Sequence, residues 1–256
     1  MSYRDQFTGE RAAVAYDEHQ YRPGSYGELL WQVEQQQLRD VVGQLRSSHR
    51  RIDYLDFATG TGRVLAFLEP LVDTAVGIEV SEAMAGRARS RVPAATVLCR
   101  DITTGAAPVE GSYDLITAFR FILNAEPALR AAGLAAMQRR LRDESSLLVF
   151  NNHGNLWSHK ALLWPVHKAA GRVQPGSAGN YLSHRQVMRL VERAGLRVER
   201  VVGCGVLGAR TSRRLPEARV AEWERRMAAT WTARAAVNRM YVCRRAVQAD
   251  HPEWSE

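Results

Sequence analysis

Residues 54–64 read YLDFATGTGRV, an apolar run that ends in an acid, Asp56, and continues into two glycines, Gly60 and Gly62, spaced one residue apart. A run of this kind is a short buried strand. The glycines after it mark a tight turn in which the chain can take positive φ and bring backbone N–H groups close to a ligand. Two cofactor classes use such turns, and the residues discriminate between them. The dinucleotide fingerprint G-x-G-x-x-G/A requires a small residue where Leu65 stands, and a phosphate-binding P-loop requires a G-K-[ST] that the chain lacks.

Around this stretch the sequence alternates strand-like and helix-like segments. Leu30, Val33, Leu38, Val41 and Leu45 recur at near-helical spacing and predict a helix over 26–44. Strands are expected at 51–58, 74–80, 95–102, 113–119 and 145–151. Helices are expected at 63–71, ended by Pro70, at 82–92 behind the N-cap Ser81, and at 126–141. Alternation over about a hundred residues implies βαβ crossovers. The expected fold is α/β, a doubly wound, seven-stranded, mostly parallel sheet with helices on both faces, an N-terminal helical segment and helical lid insertions.

The second half breaks this rhythm. A helix is expected at 157–170, then a Pro/Gly/Ser-rich loop at 171–181 and a helix capped by Ser183. A sixth strand within AGLRVERVVGC and a last strand at 240–244 complete the sheet. Between them a helix over 215–236 is predicted, with Val220, Trp223, Met227 and Trp231 on one face. The expected organisation is a single domain in three parts: residues 1–50 as a helical cap, 51–155 as the cofactor-binding core, and 156–256 as the rest of the sheet with substrate-lid helices.

Composition narrows the function. The 256 residues are 46% hydrophobic and 24% charged, the profile of a globular protein with a sizeable core. No apolar leader or membrane-length run is visible, so a cytoplasmic protein is expected. The net charge of +8 is almost wholly arginine, since only Lys160 and Lys168 are lysines. These arginines are scattered in ones and twos, which makes nucleic acid an unlikely partner. Cys99, Cys204 and Cys243 lie far apart with no zinc-type spacing, and no metal is expected.

Asp56-Phe57-Ala58-Thr59-Gly60-Thr61-Gly62 resembles the first motif of the class I S-adenosylmethionine-dependent methyltransferases, D-x-[G/A]-x-G-x-G, with Ala58 where many members have glycine. Further signals follow in the family's order over about residues 54–151: Glu79 ending the second strand, Asp101 after the third, and Tyr113-Asp114-Leu115-Ile116 opening the fourth. The resemblance implies that S-adenosyl-L-methionine is bound by Asp56, Ala58, Thr59, Gly60, Gly62, Glu79, Val80, Asp101, Ile102 and Phe119. In it Glu79 accepts the ribose hydroxyls and Asp101 pairs with the adenine amino group. It also implies that the N-terminal segment carrying Tyr16, Tyr21 and Tyr26 closes over the cofactor.

Methyl transfer from a sulfonium is an in-line displacement that needs alignment and water exclusion rather than a metal or a covalent residue. An oxygen nucleophile gains from a general base. His153, in NNHGN after the fifth strand, is the candidate base, with a loop hydrogen bond as its plain alternative. Arg120, Asn124, Asn152 and Tyr181 are candidate acceptor contacts. The acceptor is expected to be a small molecule, anionic or ring-containing, with O-methylation favoured over N-methylation. RNA or protein methylation, or non-catalytic binding, are the alternatives. The D/N-P-P-Y/F motif of DNA amino-methylating enzymes is absent after the fourth strand. The oligomeric state is not encoded in these patterns.

Overall fold

The computed structural model describes residues 24–103, 111–170, 181–208, 212 and 214–246. The first element, α1 (Tyr26–Arg46), starts where the Ser25 hydroxyl accepts the Glu28 amide at 3.1 Å, and its stripe from Leu29 to Leu45 is buried. It leads into β1 (Asp53–Phe57), α2 (Arg63–Leu68) with a 3₁₀ turn at Glu69–Leu71, and β2 (Thr74–Glu79). Then follow α3 (Glu82–Arg91), β3 (Thr96–Cys99), β4 (Leu115–Ala118), the short α4 (Phe121–Asn124), α5 (Pro127–Arg140) and β5 (Leu147–Asn152).

The last part comprises α6 (His159–Ala169), α7 (His184–Arg193), β6 (Leu196–Cys204), α8 (Glu217–Met227), a 3₁₀ turn (Trp231–Ala235) and β7 (Asn238–Arg245). Side-chain oxygens of Ser81, Ser158 and Ser183 cap α3, α6 and α7, the last through a reciprocal bond with Gln186. The loop expected at 171–181 lies, apart from Tyr181, outside the described residues, as do Tyr16 and Tyr21.

The sheet has the order β3-β2-β1-β4-β5-β7-β6, with β7 antiparallel to both of its neighbours and the other pairings parallel. This is the doubly wound α/β sheet that the strand rhythm predicts. Alternate residues of each strand feed two cores. Leu55, Phe57, Ile116, Phe150 and Tyr241 face one way, while Tyr54, Leu115, Val149, Met240 and Val242 face the other. Chain order runs outward from β1 to β3 and then returns across β1 to β4. The C-terminal ends of β1 and β4 therefore flank the switch point at which open α/β sheets form their crevice.

Several elements are shorter than their local pattern predicts. The helix expected over 215–236 is α8 followed, after a break, by the 3₁₀ turn. At the break the Ala228 carbonyl accepts the Gly203 amide of β6 at 2.8 Å. A Cβ on Gly203 would lie 2.7 Å from Ala233, so only glycine lets the returning chain lie this close. Of the predicted stripe Val220 is buried, whereas Trp223 and Trp231 are 45% and 80% exposed. The third strand ends at Cys99, because beyond it the Asp101 carboxylate turns the chain by accepting the amide and hydroxyl of Thr103. Tyr113 makes only an isolated bridge to Leu141 ahead of β4.

One buried acid shapes the far end of the sheet. The Glu224 carboxylate of α8 accepts the consecutive amides of Gly205, Val206 and Leu207 at 2.9, 3.0 and 2.9 Å, fixing the turn that leaves β6. Tyr26 lies beside it with its hydroxyl enclosed. A Cβ on Gly205 would come within 2.8 Å of that oxygen. Among the described residues no helix is long and apolar enough to cross a membrane.

Candidate cofactor and acceptor site

A cleft of about 1020 Å³, counting space open to solvent, lies at the C-terminal ends of β1, β2 and β4. Its lining brings together Asp56, Ala58, Thr59 and Gly60 of the glycine loop, Glu79 and Val80 after β2, Asp101 and Ile102 after β3, and Phe119, Arg120 and Asn124 after β4.

The loop is held from within. Thr59 Oγ1 and Thr117 Oγ1 donate to the two oxygens of the buried Asp56 carboxylate, at 2.6 and 2.5 Å. The proton of Thr117 is thereby committed, so the Tyr54 hydroxyl, 2.6 Å away, donates to it. Burial pushes the Asp56 carboxyl up to about 6, against the hydroxyl bonds and the charge of Arg63. The Thr59 amide donates to the Ile78 carbonyl at 2.9 Å, which ties the turn to β2.

The two glycines serve different ends. Gly60 has φ +59, faces the cleft and donates its amide to Glu79 Oε2 at 2.9 Å. Gly62 has φ +80 but does not line the cleft. A Cβ there would stand 2.9 Å from Cα and Cβ of Ala88, so it allows α3 to close against the turn. Ala58 also takes a positive φ, 54°, which costs an L-residue about 1–2 kcal/mol.

Glu79 accepts three backbone amides, Gly60 on Oε2 and Val80 and Ser81 on Oε1. Burial raises its pKa, and the three N–H groups act against that. A carboxylate offers about four acceptor positions, so one remains for a hydroxyl in the cleft. On Asp101, Oδ1 is engaged by Thr103. Arg63, which also lines the cleft, stacks its guanidinium 4.0 Å above the Trp31 ring.

Arg120 is the second residue outside glycine with positive φ, at 60°. Its amide donates to Asn151 Oδ1 and its carbonyl accepts from Asn124 Nδ2, both at 2.7 Å. Asn151 Nδ2 in turn donates to the buried Glu34 of α1 at 2.9 Å, and Asn238 Nδ2 donates to the same oxygen at 2.6 Å. This relay, which pins the cleft wall to the first helix, has no local sequence signal.

The remaining candidates stand apart. His153 does not line the cleft. Its Nδ1 is enclosed and has no hydrogen-bond partner among the described residues, and burial, then Arg120 and Lys160, hold its pKa well below the usual value, leaving a neutral and weakly basic ring. Asn152 is buried and donates to the Leu182 carbonyl at 3.0 Å while accepting the Gly154 amide, a loop-bracing role. The Tyr181 hydroxyl donates to the Lys160 carbonyl at 3.5 Å. Neither Asn152 nor Tyr181 reaches the cleft lining, nor does Tyr26.

Comparison with known proteins follows the same outline. Residues 55–144 match a methyltransferase domain family. The magnesium protoporphyrin IX methyltransferase of Synechocystis PCC 6803, solved with bound S-adenosylhomocysteine, is similar in structure with a TM-score of 0.60 at 16% identity, covering 95% of this chain and 97% of that one. An S-adenosylmethionine-dependent methyltransferase of Clostridium acetobutylicum ATCC 824 gives 0.58 at 12%, covering 92% and 98%. The methyltransferase domain of bacterial-CtHen1-C gives 0.55 at 15%, covering 84% and 100%. No curated protein sequence matches. At these identities the structural likeness is one of fold. The match to the methyltransferase domain family spans the α/β core that carries the glycine turn and Glu79.

Proposed function

We propose that the chain transfers a methyl group from S-adenosylmethionine to an oxygen of a small, anionic or ring-containing acceptor. The observation that carries the reading is the convergence of Asp56, Glu79 and Asp101 on one cleft at the sheet's switch point. In this reading Gly60, Ala58 and Thr59 pass the cofactor's amino-acid end along the turn, and the remaining acceptor position of Glu79 takes a ribose hydroxyl. Asp101 faces the adenine, between Val80, Ile102 and Phe119. In the same reading residues 1–50 are a helical cap, 51–155 the cofactor-binding core, and 156–256 the rest of the sheet with substrate-lid helices.

S-adenosylmethionine, when bound, supplies an electrophilic methyl group on a cationic sulfur. The chain aligns the acceptor with it and excludes water. Arg63, Arg100 and Arg120 line the cleft and favour a carboxylate or phenolate, whose oxygen is already a nucleophile, over a protonated amine. That supports O-methylation over N-methylation with no strong base nearby, in keeping with the neutral, enclosed His153.

Calorimetry with S-adenosylhomocysteine, followed by labelled methyl transfer to panels of phenols, carboxylic acids, amines and tRNA, tests the reading. Binding with turnover on an oxygen acceptor is expected. Turnover confined to tRNA or amines would overturn the acceptor class, and binding without any turnover would favour a non-catalytic cofactor-binding protein.

A further inference from the structure

A second group of cations stands at the same sheet edge, outside the cleft. Arg239, near the start of β7, is 7% exposed. Among the described residues its guanidinium makes no hydrogen bond and no ion pair, and its Nε is fully enclosed. Its guanidinium carbon stands 5.7 Å from the centroid of the Tyr241 ring. Guanidinium remains charged at any physiological pH, so a buried one without a partner is costly to the fold.

The surroundings add positive charge. His184, the first residue of α7, stacks on Tyr241 at 5.9 Å and 20°, with Nδ1 3.2 Å from the Tyr241 hydroxyl. Tyr241 stacks in turn on Phe150 at 5.2 Å and 10°. Besides burial, Arg239 and Arg234 are the groups that lower the His184 pKa, and Arg234 also acts on Arg239. Among the described residues the charged groups that act on the two are arginines, with the Tyr241 hydroxyl beside Arg239. The result is an aromatic floor under Arg239 and His184, with the exposed Arg234 close enough to act on both.

The register fixes where this lies. Arg239 pairs with Asn152, the last residue of β5, while the neighbouring Asn151 accepts the Arg120 amide. Arg120 and Arg239 thus flank the end of β5 from opposite sides, about two strand spacings or roughly 10 Å apart. Both stand at the carboxyl end of a parallel strand, the side of the sheet on which open α/β folds receive ligands, next to the β1–β4 switch point.

We propose that Arg239, with Arg234 and His184, binds an oxyanion of the acceptor, a carboxylate or phosphate remote from the atom that is methylated. The proposal rests on the methyl-transfer reading for its physiological ligand. The anion site itself is testable without that reading.

The probes are inorganic phosphate and benzoate, each compared with chloride at equal ionic strength. The readouts are the melting temperature and the His184 ring resonances of the full chain. At least one probe is expected to raise the wild-type melting temperature saturably by about 2 °C or more and to move the His184 signals, its identity separating phosphate from carboxylate ligands. Arg239→Met is expected to melt at or above the wild-type temperature in chloride, because an unpaired buried charge is gone, and to lose the response. Arg239→Lys keeps the charge without the fork and retains a weaker response.

The proposal is overturned if neither probe moves the wild type, if both variants respond as the wild type does, or if Arg239→Met melts well below the wild type in chloride. S-adenosylhomocysteine calorimetry separates the two readings. Cofactor binding without an oxyanion response removes the anion site alone, whereas an oxyanion response without cofactor binding removes the methyl-transfer reading alone.

Discussion

The Gly60 amide donates to Glu79 Oε2 at 2.9 Å, so the glycine turn after β1 is closed by the acid that ends β2. One carboxylate thereby holds the loop and presents its remaining acceptor position to the cleft. Glu79→Ala is expected to weaken S-adenosylhomocysteine binding about 10- to 100-fold, the loss of a charge-assisted hydrogen bond together with three orphaned amides. Calorimetry checks this, and unchanged affinity in a folded variant would remove Glu79 from the cofactor site.

Asp56 should leave a signature in the pH dependence of stability. Its ordinary value of 3.8 is raised to about 6 by burial. The folded state therefore holds the proton more tightly than the unfolded state. Stability from this group is full below about pH 4, falls as pH rises to about 6, and is flat above. The span corresponds to about 3 kcal/mol at most. In urea titrations at several pH values, wild type should lose ground to Asp56→Asn across that window. A constant difference between the two proteins would contradict the raised value.

The two glycines of the turn should differ under the same substitution. Gly60→Ala meets only the Met84 sulfur at 3.7 Å and bears the cost of positive φ, about 1–2 kcal/mol. Gly62→Ala adds a clash with Ala88 and should cost about 2–4 kcal/mol. Equal denaturation midpoints for the two variants would refute the packing role of Gly62.

Glu224→Ala leaves the amides of Gly205, Val206 and Leu207 without their shared acceptor. A loss of about 3 kcal/mol or more is expected by urea denaturation. S-adenosylhomocysteine affinity in the surviving folded fraction should be unchanged, since Glu224 is not part of the cleft.

The glycine turn is legible in the sequence because its constraint is local, a strand followed at once by small residues, whereas the acids at 79 and 101 are picked out by the family resemblance, which expects them after the second and third strands. The alternation of strands likewise revealed the doubly wound sheet. The left-handed Arg120 and its support by Asn151 and Glu34 were not legible, since the Asn151–Glu34 bond joins residues 117 apart in sequence. The aromatic periodicity over 215–236 described a longer helix than exists. Its spacing is helical, but the Gly203–Ala228 bond to another strand decides where the helix stops. For Asn152 and Tyr181, position after a strand end or in a lid was the only signal, and position does not say which way a side chain turns.

The placement of β7 between β5 and β6 also sets an order of assembly. Strands β1 to β5 can zip together as they emerge from the ribosome, but β6 has no neighbour to join until β7 is made, roughly thirty residues further along the chain. At ordinary synthesis rates that is a wait of about two to seven seconds with an unpaired, partly apolar edge. A truncation before Asn238 would make the wait permanent, leaving the cofactor half able to close while the strand beyond it hangs loose as a target for proteolysis and mispairing.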